Sequence, residues 1–103
     1  MSIPEKQSVY YVVFCETLYA SFEDAAAKAS DLIATHVARS KELHARGTIL
    51  MAGAFLNVPN EPLSTMAVCA TREAAEEYIT GDPFVLNGMV KQWTIREWAN
   101  MFA

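Results

Sequence analysis

Two cysteines, four glycines, four prolines and no extended apolar run set the first limits on this chain of 103 residues. Cys15 and Cys69 lie inside apolar stretches without C-x-x-C or metal-ligand spacing. They read as buried reduced thiols in a reducing, cytoplasmic compartment, not as a disulfide or a zinc site. Apolar stretches stay far below the roughly 20 residues of a membrane span. The opening Met1-Ser2-Ile3-Pro4-Glu5-Lys6 lacks a basic region leading into a signal-type core, so a soluble, untargeted protein is expected. Eight Lys and Arg against twelve Asp and Glu give a net charge of −4, with no basic cluster among aromatic residues, which argues against nucleic acid as a partner. A G-x-S-x-G elbow, a phosphate loop and a dinucleotide fingerprint are also missing, which disfavours serine hydrolysis and nucleotide chemistry. No His/Cys/Asp/Glu group has zinc spacing, so no metal is expected.

What remains suits one domain spanning 1–103, able to bury about 60 to 70 % of the surface its unfolded form exposes. Residues 8–16, rich in Val, Tyr and Phe, read as a first strand. Ser21-Phe22-Glu23-Asp24 opens a helical segment with a hydroxyl and early acids, and a longer helix over 29–46 ends at Gly47. Composition leaves open whether the two are continuous. Residues 48–56 and 64–70 read as strands joined by a loop over 57–63, whose prolines cannot donate to a ladder. Thr71 caps a helix over 72–80, with Glu73, Glu76 and Glu77 outward and Ala74, Ala75, Tyr78 and Ile79 inward. Gly81-Asp82-Pro83 stops it. Residues 90–98 alternate as a half-exposed last strand at a sheet edge. The order β-α-β-β-α-β is that of an α+β, ferredoxin-like split fold with an antiparallel four-stranded sheet.

Residues 9–15 and 49–56 are apolar on both faces, whereas a sheet with water on one side alternates. Two helices cover only one face of such a sheet. A second copy packing sheet to sheet, as in a dimeric α/β barrel, is the simplest cover for the other, so a homodimer is expected.

Wound at about 100° per residue, residues 29–47 gather Ala29, Leu32, Ile33, Val37, Ser40 and Leu43 on one side with His36 near its centre. Asp31, Thr35, Arg39, Glu42 and Arg46 fall opposite. A histidine in such a stripe leaves water on docking and needs a hydrogen-bond partner. The turn after the second helix of a split fold brings Asp82 toward it, and Pro83 holds Asp82 in extended backbone with its carboxylate in one direction. A carboxylate against an imidazole orients the ring and selects its tautomer, which a general acid or base near neutral pH requires. A plainer account also stands: Gly81-Asp82-Pro83 only stops a helix, and His36 is a satisfied core residue.

His36, the following Leu43 and Gly47, the run Ile49-Leu50-Met51-Ala52-Gly53, the helix Glu73-Ala74-Ala75-Glu76, and Asp82-Pro83-Phe84 with Gly88 after it resemble the YciI (YCII-related) family of small dimeric α/β-barrel proteins. The likeness runs from about Tyr10 to Trp98. It implies that His36 and Asp82 are the proposed active-site pair, a histidine of the first helix and the aspartate of a D-P-[FY] motif. It also implies small cyclic, oxygenated substrates. One branch resembles lyases that remove chloride from a chlorinated hydroxyhydroquinone, and the wider superfamily includes muconolactone isomerases and cofactor-independent oxygenases. Two positions depart from the pattern. Gly53-Ala54 stands where the family usually has Gly-Pro. Ile33-Ala34-Thr35 stands where an Arg-Pro often precedes the histidine, so an arginine to grip an anionic substrate is missing locally.

Ser40, one turn beyond His36, Phe84 beside the aspartate, and Trp93 of the last strand are the substrate-binding candidates. Inward serines more commonly bond helix carbonyls, and strand aromatics are more commonly core. Trp93 leads an aromatic set that includes Tyr10, Tyr11, Phe14, Phe55 and Trp98. His44, about 80° round the helix from His36, belongs at the rim. Two functions are compatible with these residues. One is an enzyme acting on a small molecule without cofactor, in which His36 moves a proton beside a carbonyl or phenol, Asp82 orients it, and elimination or isomerisation follows. The other is a non-catalytic ligand-binding or structural dimer in which the pair only satisfies a buried imidazole. They part on whether the pair lines an open pocket or a closed core.

Overall fold

Strand-forming residues on both sides of the first segment make it the centre of a sheet. The computed structural model describes residues 8–56 and 61–102. Its elements are β1 (Val9–Thr17), α1 (Phe22–Lys28), α2 (Ser30–Ala45), β2 (Met51–Ala54), β3 (Ser64–Cys69), α3 (Arg72–Thr80), α4 (Pro83–Leu86) and β4 (Val90–Ala99). The strands form one antiparallel sheet in the order β2-β3-β1-β4, as the ferredoxin-like α+β reading requires, with β4 at an edge.

Local signals set the helix ends. The Ser21 hydroxyl accepts the Asp24 N–H, while the Asp24 carboxylate accepts the Ala20 N–H, a reciprocal cap at the start of α1. Ala29 breaks the helical run, at φ −142° and ψ 40°, so α1 and α2 are separate. Gly47, at φ 80°, ends α2 in a left-handed turn where the Gly47 N–H reaches the His44 carbonyl and the Thr48 N–H the Leu43 carbonyl. That turn also accounts for a late β2. Thr48 and Ile49, expected in the strand, direct their N–H groups to Leu43 instead. The Thr71 hydroxyl caps α3 through the Ala74 N–H. Residues 57–60 of the expected loop lie outside the described residues.

All helices lie on one side of the sheet. Val13, Cys15, Ala67 and Cys69 point to that side and close a core with Leu43, Ile49, Ala75, Tyr78 and Ile79. Both cysteines are free and buried, and burial raises each thiol to about 11, which makes them poor nucleophiles. The other face carries Tyr10, Val12 and Phe14 in register with Trp98, Val68 and Met66, and no helix among the described residues covers it. Met51 and Trp98 there are 61 % and 49 % exposed. No helix among the described residues is long and apolar enough to cross a membrane.

One helix face differs from its reading as the side away from the core. Arg39 reaches the C-terminal end of α3, donating to the carbonyls of Tyr78 and Glu77 at 2.8 Å each, and Arg46 pairs with Glu77 at 2.9 Å. A cation at a helix C-terminus is well placed against the dipole, and these bonds fasten α2 to α3. His36 lies one turn before Arg39, which sets it opposite the chain leaving α3.

Candidate active site

Asp82 is shaped by its neighbours in sequence. Followed by Pro83, it takes extended backbone (φ −65°, ψ 134°) and caps the short α4, its Oδ2 accepting the Phe84 N–H at 3.0 Å. Oδ1 is left for His36, whose Nδ1 lies 2.5 Å away. The aspartate is only 3 % exposed, while the His36 side chain retains 20 %. Phe84 packs its ring against the imidazole at 5.2 Å between centroids, and Tyr19 packs edge-on against Phe84 at 5.9 Å. An Nδ1–H donated to the carboxylate leaves Nε2 with its lone pair, and Nε2 has no hydrogen-bond partner among the described residues.

His36 lies at the wall of an open cleft, with Asp82 buried behind it. α2 packs on α1 and α4 and stands away from β2, and the gap between helix and strand is a cavity of about 520 Å³, in the range of small-molecule sites. His36 and Ser40 line the α2 side, Phe84 and Tyr78 the floor, and residues 51–54 the far side. Most of the surface is apolar. Lys41 and His44 stand on the α2 side, His44 as expected at the rim, and no Asp or Glu among the described residues lines the cleft. Lys41, one turn beyond Val37, puts a positive charge on the α2 side of the cleft.

The structure brings together His36, Asp82, Ser40 and Phe84, but not Trp93. Trp93 pairs with Cys15 on the helix side of β4, at the sheet edge opposite β2, and faces α3 residues such as Arg72 and Glu76. Its expected place in the pocket is therefore corrected: strand order separates it from the cleft. Tyr78 and Phe22 join Phe84 as the aromatics of the cleft. Tyr78 lies on the inward face of its helix, as its spacing predicts, and its hydroxyl is the sequence signal for more than packing. Among the described residues no group of three His, Cys, Asp or Glu side chains is placed to hold a metal ion.

The strand order and the helices packed on one face define a small α+β protein of the ferredoxin-like class. Within that class the chain belongs to the YCII-related domain family, whose model matches residues 9–99. No curated protein matches the chain. The fold is similar to that of 5-chloro-2-hydroxyhydroquinone dehydrochlorinase from Burkholderia phenoliruptrix, solved with 2,5-dihydroxybenzoquinone, at 14 % identity and TM-score 0.59 over 86 % of this chain and 92 % of that one. It is similar also to a conserved protein from Methanosarcina mazei (12 %, TM-score 0.57, 91 % and 94 % covered). A third similar structure is a protein of unknown function from Nitrosomonas europaea (13 %, TM-score 0.55, 93 % and 91 % covered).

Proposed function

We propose that the chain is a small-molecule enzyme in which His36 is the general base and Asp82 holds its tautomer, acting without cofactor on a small cyclic, oxygenated substrate. Nε2 takes a proton from the carbon next to a carbonyl. The released electron pair forms a C=C bond and either expels a leaving group such as chloride, which is elimination, or lets the imidazolium return the proton at another carbon, which is isomerisation. The observation that carries this reading is the 2.5 Å His36–Asp82 contact with the imidazole lining an open cavity, where a purely structural pair needs no access to solvent. Lysine and histidine at the rim suit an anionic or phenolic ring. We propose further that the working form is a homodimer, in which a second copy covers the sheet face bearing Tyr10, Phe14, Met66 and Trp98.

The test is chloride release from 5-chloro-2-hydroxyhydroquinone and related chlorinated hydroxybenzenes, together with a screen of cyclic lactones for isomerisation. His36→Gln, close in size to the histidine, is expected to abolish any turnover found while leaving the fold intact. Turnover equal to wild type in His36→Gln would leave the non-catalytic ligand-binding dimer as the surviving account of the pair.

A further inference from the structure

Tyr78 carries a polar group that the proton-transfer reading does not use. Its side chain is packed with Val13, Cys15, Ala75 and Ile79 and is 3 % exposed. Its backbone is fixed by the Arg39 guanidinium on its carbonyl. The hydroxyl, however, makes no hydrogen bond among the described residues. Nor is it sealed away as a buried, unpartnered polar atom, because Tyr78 opens onto the cleft shared with His36. With no partner among the described residues, the hydroxyl is left to an acceptor that arrives from the cleft, water when no ligand is bound or a ligand oxygen in its place. Burial, and next the nearby Asp82 carboxylate, push the phenol well above its usual range, so it keeps its proton and remains a donor throughout the working pH range.

We propose that the Tyr78 hydroxyl is the oxygen-recognising group of the cleft, donating a hydrogen bond to a carbonyl, enolate or phenolate oxygen of the substrate. The inference rests on reading the cleft as a ligand site with His36 as base, and it adds the substrate requirement: an oxygen conjugated with the carbon whose proton His36 removes. As that proton leaves, the electron pair is delocalised onto the oxygen, and a donor already aimed at it stabilises the growing charge without reorganising. No bond to Tyr78 forms, and its own proton stays on the phenol.

Two probes of similar shape separate this role from packing: 2,5-dihydroxybenzoquinone, and p-xylene, in which methyl groups stand where a quinone has oxygens. Affinities of wild type and Tyr78→Phe are measured by ligand-observed nuclear magnetic resonance, and stability by urea unfolding. Tyr78→Phe is expected to bind the quinone about 3- to 10-fold more weakly. It should bind p-xylene as well as wild type does and unfold at the same or a higher urea concentration. Unchanged quinone affinity, an equal loss for both probes, or a clear loss of stability each overturn the proposal, since the hydroxyl then contributes nothing, shape alone, or an internal bond. If wild type binds neither probe, the inference falls together with the ligand-site reading. If wild type binds the quinone and His36→Gln loses turnover while Tyr78→Phe binds unchanged, the inference falls alone.

Discussion

Replacing Asp82 by Asn tests the pair without emptying its site. The side chain keeps its shape, and one of its two heads must still accept the Phe84 N–H, now 3.0 Å from Oδ2. Only the amide oxygen can do so. The amide nitrogen therefore takes the place of Oδ1 against His36 Nδ1, and because that nitrogen donates, Nδ1 must accept. The imidazole proton moves to Nε2. The ring then shows the cleft a donor where it showed a lone pair, and the base is lost while its position is kept. The stability change is small, about 1 kcal/mol, because a charge-assisted bond is exchanged for a neutral one and the cap survives. Asp82→Ala removes both bonds. Losing the cap costs about 1 kcal/mol and leaving the imidazole unpaired costs about 1–3 kcal/mol, so a total of about 2–4 kcal/mol is expected. Turnover in Asp82→Asn should fall about 10²- to 10⁴-fold with substrate binding largely kept, the usual span of positioned acid–base help. Nitrogen-15 shifts of the His36 ring report the tautomer without any substrate, and urea unfolding reports the stability of both variants. An Asp82→Asn ring that still carries its proton on Nδ1, or a turnover equal to wild type, would refute the reasoning.

Light scattering at micromolar concentration is expected to give the mass of a homodimer, and Trp98→Glu, on the uncovered sheet face, should shift it to monomer. A wild-type monomer, or a Trp98→Glu dimer as tight as wild type, removes the case for sheet-to-sheet packing. Stability should fall as pH rises from about 9 to 11. The Cys15 and Cys69 thiols move from 9.0 to about 11 in the folded chain, chiefly by burial, with the Asp82 charge adding at Cys15. Below pH 9 both states hold these protons and nothing is lost. Above it only the unfolded chain releases them, so each thiol costs on the order of 2 kcal/mol by pH 11. Urea midpoints that fall between pH 8 and 10.5 in wild type and fall less in Cys69→Ala are the expected result, and a pH-independent midpoint contradicts it.

Where a residue type has one local use, the sequence told the structure well. Thr71 before an alanine-rich acidic run had to cap α3, and Gly47 after a long helix had to supply the left-handed turn that ends it. Strand identity, the edge position of β4 and the split α+β order followed from composition and period. The break at Ala29 did not, because alanine favours helix and no neighbouring residue type marks a break there. Nor did Arg39: a helical wheel places it away from the stripe, yet a guanidinium is long enough to reach the α3 carbonyls around the side of the helix.

The candidate site divides along the same physical line. His36 and Asp82 were legible because each carries its constraint in its neighbours: an apolar stripe that forces a buried imidazole to find a partner, and a proline that aims a carboxylate. Trp93 and Tyr78 exchange places for one reason. Period reports which face a side chain takes but not which edge of the sheet it stands on. Trp93 does share the helix side with Cys15, at the edge away from β2. Strand order decides the matter, and the ferredoxin-like order already puts the first and last strands beside each other and leaves the second at the far edge. A cleft between α2 and β2 is therefore out of reach of β4, whereas Tyr78, on the inward face of α3 one turn before Asp82, is brought to its floor. The distance between α2 and β2, which makes a cavity of what would otherwise be core, is written in no local pattern. It follows from α2 being held by α1, α4 and the Arg39 bonds to α3 instead of by the strand it faces.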